Sequence, residues 1–168
     1  MADTGEFGDE ILRHIDAAYN LARWLMRDAT DAEDVVQESY VRALKYRDGF
    51  NGTNMRAWLL SIVRNTCYTS LTKTRGWTEF DELEHGGSYD EAETDSITRI
   101  DADRMKALLL DLPAEYREIL VLREFEDLSY REISQVADIP VGTVMSRIAR
   151  ARKRLQTAAA DFMEARKA

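Results

Sequence analysis

Apolar residues recur at every third or fourth position along most of the chain, which predicts helices. The first periodic segment runs from Ile11 to Met26. A second ends at about Arg47, and a third follows the polar loop at 51–54 and ends before Gly76. The N-terminal part of the chain is therefore predicted to be a group of three helices.

The C-terminal part shows the same helical period. One predicted helix ends near Leu112, and Pro113 suits the first turn of the next, where its missing N–H costs nothing. A short helix follows Ser129, and the break at 138–140 leads into a long last helix. Two helices joined by so short a turn are typical of a helix-turn-helix unit. Since alternating strand patterns are lacking, the predicted fold class is all-α.

Two sequences of the capping-box type mark helix starts. In this motif the first side chain accepts from the backbone N–H three residues on, and the last side chain reaches back to the first N–H. Thr30 and Glu33 are expected to begin the second helix in this way, and Ser129 and Glu132 the short helix of the C-terminal unit.

The formal net charge of -8 at first argues against a nucleic-acid-binding protein. The charge is, however, concentrated in one segment: residues 1–75 carry a net -1, residues 76–103 a net -9 and residues 104–168 a net +2. The middle segment has three glycines and little periodicity. We therefore predict two small helical domains, 1–75 and 104–168, joined by an acidic flexible linker at 76–103.

Several classes of protein are disfavoured by what the sequence lacks. The single cysteine, Cys67, excludes an internal disulfide and multi-cysteine zinc sites, and we expect it in the core. Neither a signal peptide nor a membrane-length apolar run is present, so the expected location is the cytoplasm without membrane insertion. Without a phosphate loop, HExxH or CxxC, we expect no enzyme, catalytic residue, metal, other cofactor or small-molecule substrate.

The long last helix separates apolar and basic side chains. At 100° per residue, one narrow stripe holds Val144, Ile148, Ala151 and Leu155. The opposite side carries Ser146, Ala149, Arg150 and Lys153, and the stripe is flanked by Arg147 and Arg154. Five cations and no acid lie between 139 and 160. A solvated basic face would look the same, but the preceding turn and capped helix favour a DNA recognition helix, with Thr143 near a phosphate.

The chain resembles bacterial RNA polymerase sigma factors of the extracytoplasmic-function (ECF) group of the sigma-70 family. The resemblance rests on DAEDVVQESYVRAL at 31–44, WLLSIVRN at 58–65, and LPAEYREILVLR at 112–123. It continues with LSYREI at 128–133, IPVGTVMSR at 139–147 and RAR at 150–152. It implies a factor that binds core RNA polymerase and promoter DNA, initiates transcription, and is held by an anti-sigma factor.

The resemblance also assigns roles in the N-terminal domain. Four residues of the second helix would bind the largest polymerase subunit: Asp31, Asp34, Gln37 and Glu38. Val41 shares their exposed strip on the helical wheel, and an apolar residue there suits a protein partner better than water. In the minus-ten element, Asn65 would contact a base and the loop containing Asn54 a flipped base. Phosphates would be held by Arg64, Lys73 and Arg75.

In the C-terminal domain the resemblance implies contacts to the minus-thirty-five element from six side chains: Thr143, Ser146, Arg147, Arg150, Lys153 and Arg154. Met145 and Ala149 depart from the larger or charged residues of many relatives, which leaves the sequence read there open. Two other readings stay open. A sigma-like mimic would bind an anti-sigma factor without reading DNA, and a stand-alone helix-turn-helix activator would leave the motifs at 31–44 and 58–65 unexplained.

Overall fold

The computed structural model describes residues 3–75 and 101–167. Nearly all of the predicted acidic linker, residues 76–100, lies outside the described residues. Within the described residues every regular element is a helix, which confirms the predicted all-α class. We refer to residues 3–75 as the N-terminal lobe and to residues 101–167 as the C-terminal lobe.

The N-terminal lobe consists of four α-helices and one short 3-10 turn. The helices are α1 (Thr4–Leu12), α2 (Ile15–Met26), α3 (Ala29–Lys45) and α4 (Met55–Arg75), and the 3-10 turn at Arg47–Gly49 precedes the polar loop. The predicted first helix is thus two helices, because the chain turns at 13–14. Around Phe7, Phe50 and Trp58 the rings pack with centroids 5.3 to 6.0 Å apart, which joins α1 and the polar loop to α4.

The C-terminal lobe also has four α-helices: α5 (Ala102–Asp111), α6 (Ala114–Leu120), α7 (Tyr130–Ala137) and α8 (Val141–Lys167). A π-helical turn, Val121–Phe125, continues α6. Arg117 donates hydrogen bonds to the carbonyls of Leu110 and Leu112, at 3.0 and 2.8 Å. These bonds satisfy carbonyls at the end of α5 and fix α5 to α6.

One of the two predicted capping boxes is present. Glu132 donates its N–H to the Ser129 hydroxyl at 3.1 Å, and its carboxylate accepts from the Ser129 N–H at 2.8 Å. The prediction that Thr30 caps the helix is wrong, since α3 begins two residues earlier than expected, at Ala29. Asp28 caps that helix, because its carboxylate accepts from the N–H of Asp31 at 3.0 Å. Thr30 therefore lies within the first turn.

The two lobes pack directly against each other, with α6 between them. Every residue from Glu115 to Leu120 is buried, because α6 packs against α2 of the N-terminal lobe and against α8 of its own lobe. Trp24 of α2 stacks on Phe125 with ring centroids 5.5 Å apart. The helix-turn-helix unit is also involved, since α7 packs on α4. Most of the buried apolar side chains of the two lobes therefore form one continuous cluster, and a smaller second cluster lies among α5, α6 and α8.

Candidate nucleic-acid and polymerase interfaces

The predicted apolar stripe of the last helix is confirmed. All four of its residues, Val144, Ile148, Ala151 and Leu155, are buried in α8. The turn before α8 is fixed by Asp138, which closes α7 in the left-handed conformation with φ of 53°. It is also fixed by the hydroxyl of Ser134, which donates to the carbonyl of Ile139 at 2.5 Å. The outward side of α8 thus has a defined orientation on the helix-turn-helix unit.

The six residues proposed for the minus-thirty-five element differ in how accessible they are. Lys153 and Arg154 are exposed, and the other four, Thr143, Ser146, Arg147 and Arg150, are half-buried. The hydroxyl of Ser146 donates to the carbonyl of Thr143 at 3.1 Å. The guanidinium of Arg154 lies 4.9 Å from the centre of the Tyr116 ring. Arg154 is therefore held against α6 while part of its surface faces solvent.

Two further features of α8 are visible only in the structure. Val141 and Met145 lie one turn apart at the start of the helix and are exposed, Met145 to 53%. Arg152 pairs with Glu124 at 2.5 Å. One of the five cations between residues 139 and 160 thus attaches α8 to the π-helical turn. Counting charges along the sequence could not separate Arg152 from the cations beside it.

The face of α3 proposed to bind polymerase is exposed throughout. Its five residues, Asp31, Asp34, Gln37, Glu38 and Val41, all face solvent, and Val41 is 63% exposed. The opposite face of the helix is buried, as the wheel predicted. Glu38 pairs with Arg42 at 2.6 Å along the helix. The other two carboxylates of this face are those of Asp31 and Asp34. An exposed apolar side chain beside carboxylates suits a partner surface that is both apolar and basic.

The residues proposed for the minus-ten element do not form one open surface. Asn65 and Lys73 are exposed on α4, and the side chain of Arg75 lies outside the described residues. Asn54 begins α4 with φ of 53°, and its side-chain oxygen accepts from the N–H of Ala57 at 3.1 Å. Its amide nitrogen donates to Glu132 of the C-terminal lobe at 3.1 Å. Asn54 is therefore both a helix cap and an interlobe contact.

Arg64 makes a buried ion pair across the lobe boundary. Its Nε and Nη2 donate to the two carboxylate oxygens of Glu118 at 2.8 and 3.2 Å. The side chain of Glu118 has no exposed surface, and that of Arg64 is 17% exposed. The guanidinium also lies 4.6 Å from the centre of the Tyr68 ring. The paired geometry is that of bidentate carboxylate recognition by arginine.

The two charges of this pair depend on each other. Burial raises the pKa of the Glu118 carboxyl, and the Arg64 guanidinium limits that rise. Burial on its own would lower the pKa of Arg64, but Glu118 outweighs this effect and holds the Arg64 pKa above its usual value. Glu118 could not be identified from the sequence, because the residues around it in this short helix do not indicate that every side of the helix is buried.

A second interlobe ion pair involves Arg56, which the sequence did not single out. Its Nη2 lies 3.2 Å from a carboxylate oxygen of Glu126 and also donates to the Glu126 carbonyl. Asn20 donates to the other carboxylate oxygen at 2.8 Å. The Nε of Arg56 is buried and has no hydrogen-bond acceptor among the residues described. Arg56 thus keeps unused donor capacity beside the lobe boundary.

Cys67 is buried in α4, as predicted, and we expect its thiol to be unreactive. Burial, with a smaller contribution from Glu118, raises the pKa of Cys67 to about 12. At pH 8 the thiolate fraction is then about a thousandfold below that of a free cysteine. Alkylation by iodoacetamide should be at least that much slower in the native protein than in urea. The control is Thr69→Cys in a Cys67→Ala background, which places an exposed thiol on the same helix and should react readily.

Comparison with known protein families gives two matches that together span most of the chain. The family described as "Sigma-70 region 2" matches residues 11–78. The family described as "Sigma-70, region 4" matches residues 102–155. The first match contains α2, α3 and α4, and the second contains the helix-turn-helix unit and the first part of α8.

Curated proteins with similar sequences share these regions. The ECF RNA polymerase sigma factor SigE of Mycolicibacterium smegmatis is 32% identical, covering 88% of this chain and 60% of its own length. EcfG of Rhodopseudomonas palustris, also an ECF sigma factor, is 32% identical over 92% of this chain and 86% of its own. SigW of Bacillus subtilis, another ECF sigma factor, is 28% identical over 95% of this chain and 92% of its own length. This chain therefore spans about three fifths of the first relative and most of the other two.

Two solved structures resemble both lobes. The sigma factor RpoE of Bartonella quintana, solved in complex with the anti-sigma factor NepR, has a TM-score of 0.69 at 30% identity. The match covers 90% of this chain and 94% of that one. CnrH, solved in complex with the cytosolic domain of CnrY, has a TM-score of 0.69 at 28% identity. This match covers 95% of this chain and 90% of that one.

Proposed function

Because the chain belongs to the sigma-70 family, in its ECF group, we propose that it directs core RNA polymerase to promoters through contacts at two DNA elements. The single observation that carries this proposal is the oriented α8 of a capped helix-turn-helix unit, whose apolar stripe is buried while Arg150, Lys153 and Arg154 stay partly or fully exposed. A protein of this kind makes no covalent change itself, since polymerase adds the nucleotides. We assign promoter contacts to both domains, 1–75 and 104–168.

The C-terminal domain is proposed to bind the minus-thirty-five element as a duplex. The N-terminal turns of a recognition helix approach base edges, and cations farther along hold phosphates. Ser146 and Arg147 would then lie near the bases. Thr143 would hold a phosphate at the start of the helix, and Arg150, Lys153 and Arg154 would lie near the backbone farther along. Arginine and serine offer the hydrogen-bond donors that base edges and phosphates accept.

The N-terminal domain is proposed to hold the melted minus-ten strand and the polymerase. The exposed Asn65 of α4 would contact a base, with Lys73 and Arg75 near phosphates and Asn54 at the pocket for a flipped base. The polymerase contact is assigned to the exposed α3 face described above. Both assignments concern helices of the N-terminal lobe.

Run-off transcription with core polymerase and a genomic DNA library tests the proposed function. We expect discrete transcripts that begin at a small set of sites and depend on this chain. The competing reading, a mimic that only sequesters an anti-sigma factor, expects none. A complete lack of promoter-specific transcripts, with polymerase binding retained, would favour the mimic.

We expect Arg150→Ala to weaken binding to the minus-thirty-five duplex by about ten- to a hundredfold, which corresponds to one lost charge-assisted contact to a phosphate of about 1.5–3 kcal/mol. Affinity for core polymerase should not change. Fluorescence anisotropy at several salt concentrations measures the first quantity and co-purification the second. The matched control is Arg152→Ala on the same helix, since Arg152 is already paired with Glu124 and its loss should change duplex affinity less than threefold. Equal losses of both affinities in Arg150→Ala would make Arg150 structural.

An anti-sigma factor is proposed as a further partner. The similar structures of RpoE and CnrH were solved with an anti-sigma factor and a cytosolic partner domain, and each similarity spans both lobes. A partner that bound both lobes at once would hold them in this packed arrangement. Co-expression with candidate partners, followed by size-exclusion chromatography, would detect such a complex.

A further inference from the structure

The first two turns of α8 expose an apolar surface. Among residues 141–148 the exposed ones are Val141, Gly142 and Met145. None of the three has a side-chain N–H or O–H donor, and the methionine thioether is only a weak acceptor. The N-terminal turns of a recognition helix are the ones that approach base edges. This apolar surface therefore lies where α8 is proposed to read bases.

The polar side chains of the same two turns are directed partly toward the protein. Ser146 and Arg147 are half-buried, and the Ser146 hydroxyl donates to a carbonyl of its own helix. Burial raises the pKa of the Glu118 carboxyl, and the charge of Arg147 is among those that limit this rise, which places Arg147 toward α6. Val141 and Met145 therefore supply the two large exposed side chains of these turns.

Val141 and Met145 form a pair on one side of the helix. Residues four apart lie one above the other, about 6 Å apart along the axis. Successive base pairs are about 3.4 Å apart along a duplex. A helix lying in the major groove would therefore bring the two side chains to base pairs that are adjacent or nearly adjacent.

The charges around this pair favour a duplex over a second protein. Arg150 and Lys153 follow Met145 within about two turns, and residues 139–160 contain no acidic side chain. Such a surface attracts the phosphates on both sides of the groove. An apolar pair framed in this way is held against base edges, because the cations beside it bind the backbone.

The major-groove edges of the four bases offer one apolar group, the C5 methyl of thymine. We propose that Met145 and Val141 make this protein select thymine at neighbouring positions of the minus-thirty-five element, by contact with these methyl groups. This inference rests on the proposed function for the presence of the duplex. It also gives the departure at Met145 a consequence. A lysine or arginine at that position would donate to guanine, whereas Met145 replaces the donor with an apolar contact.

The test uses the full chain bound to core polymerase and the promoters that run-off transcription identifies. Each thymine of the minus-thirty-five segment, on either strand, is replaced in turn by deoxyuridine, which lacks the C5 methyl and keeps the hydrogen-bonding groups. We expect one or two neighbouring positions at which this replacement weakens promoter binding about three- to tenfold. Competition between labelled and unlabelled promoter fragments at constant salt measures the affinity.

Three substitutions separate base reading from a structural role. Met145→Ala should weaken binding to the thymine fragment about three- to tenfold and should distinguish thymine from deoxyuridine less than twofold at one of these positions. Met145→Leu keeps an apolar side chain of similar size and should retain most of the discrimination. The matched control is Met163→Ala near the other end of α8, which should change neither quantity. Circular dichroism confirms that each variant is folded.

Promoters whose binding is unchanged by every deoxyuridine replacement would overturn the inference and leave the proposed function intact. Promoters without thymine in the minus-thirty-five segment would do the same. Deoxyuridine effects that persist at full size in Met145→Ala would also overturn it, because the methyl would then act through the duplex or another residue. A lack of promoter-specific transcripts would instead count against the proposed function, and the inference would fail with it.

Discussion

Arg64→Met is expected to destabilise the protein, with its two lobes packed together, by about 3–5 kcal/mol. The substitution leaves the Glu118 carboxylate fully buried without its cation, and removing one member of a buried pair costs about this much. Because Glu118 regains water when α6 moves away from α4, we expect lobe separation to precede unfolding of either lobe. Urea titration gives the free energy of unfolding, and spin labels on α3 and α8 report the separation between the lobes.

Two further variants isolate the pair. Arg64→Met/Glu118→Leu removes both charges and should recover most of the loss, because an apolar pair of similar size needs no compensating cation. Arg42→Met breaks the exposed Glu38–Arg42 pair instead and should cost less than about 1 kcal/mol. If Arg64→Met costs no more than Arg42→Met, the interlobe pair does not hold the lobes together.

Asp34→Lys/Val41→Ser is expected to lower affinity for core polymerase about a hundredfold. Burial of an exposed Val in an interface contributes about 1.5–3 kcal/mol, and reversing a charge at its rim costs about 1 kcal/mol more. The sum of about 3 kcal/mol corresponds to roughly two orders of magnitude in Kd. Both residues are exposed, so the free energy of unfolding should change little. Titration of labelled polymerase measures the affinity.

The matched control for this variant is Asp9→Lys/Leu12→Ser. Asp9 and Leu12 are also exposed. Their two substitutions change the charge and the apolar surface of α1 in the same way as the tested pair changes those of α3. Polymerase affinity should then stay within about threefold of the parent chain. A similar loss in both variants would mean that the affinity reflects net charge and general surface character, and the assignment of α3 would fail.

The sequence was most informative where one local pattern determines one local structure. The spacing of Val144, Ile148, Ala151 and Leu155 identified the buried stripe of α8, since helical geometry alone fixes which residues share a face. Ser129 was identified as a cap for the same reason. At Thr30 the pattern was also present, but Asp28 supplied a competing cap two residues earlier, and that competition is not visible in the four-residue motif.

The candidate site was predicted less completely, because its main contacts join residues far apart in the chain. Arg64 was singled out as a cation, but its partner Glu118 is 54 residues away on another lobe. Arg56 and Glu126 are 70 residues apart. Local periodicity carries no information about which polar groups face each other across such a boundary. Only the packing of α6 and α7 on the N-terminal lobe brings them together.

The continuous apolar cluster across the lobe boundary makes closure depend on temperature. Separating the lobes exposes apolar surface and raises the heat capacity, whereas apolar attraction weakens on cooling. The stacked Trp24 and Phe125 belong to the part of the contact that cooling weakens, and the interlobe ion pairs do not. The contact between the lobes therefore depends on temperature through its apolar part, and cooling weakens that part relative to the ion pairs.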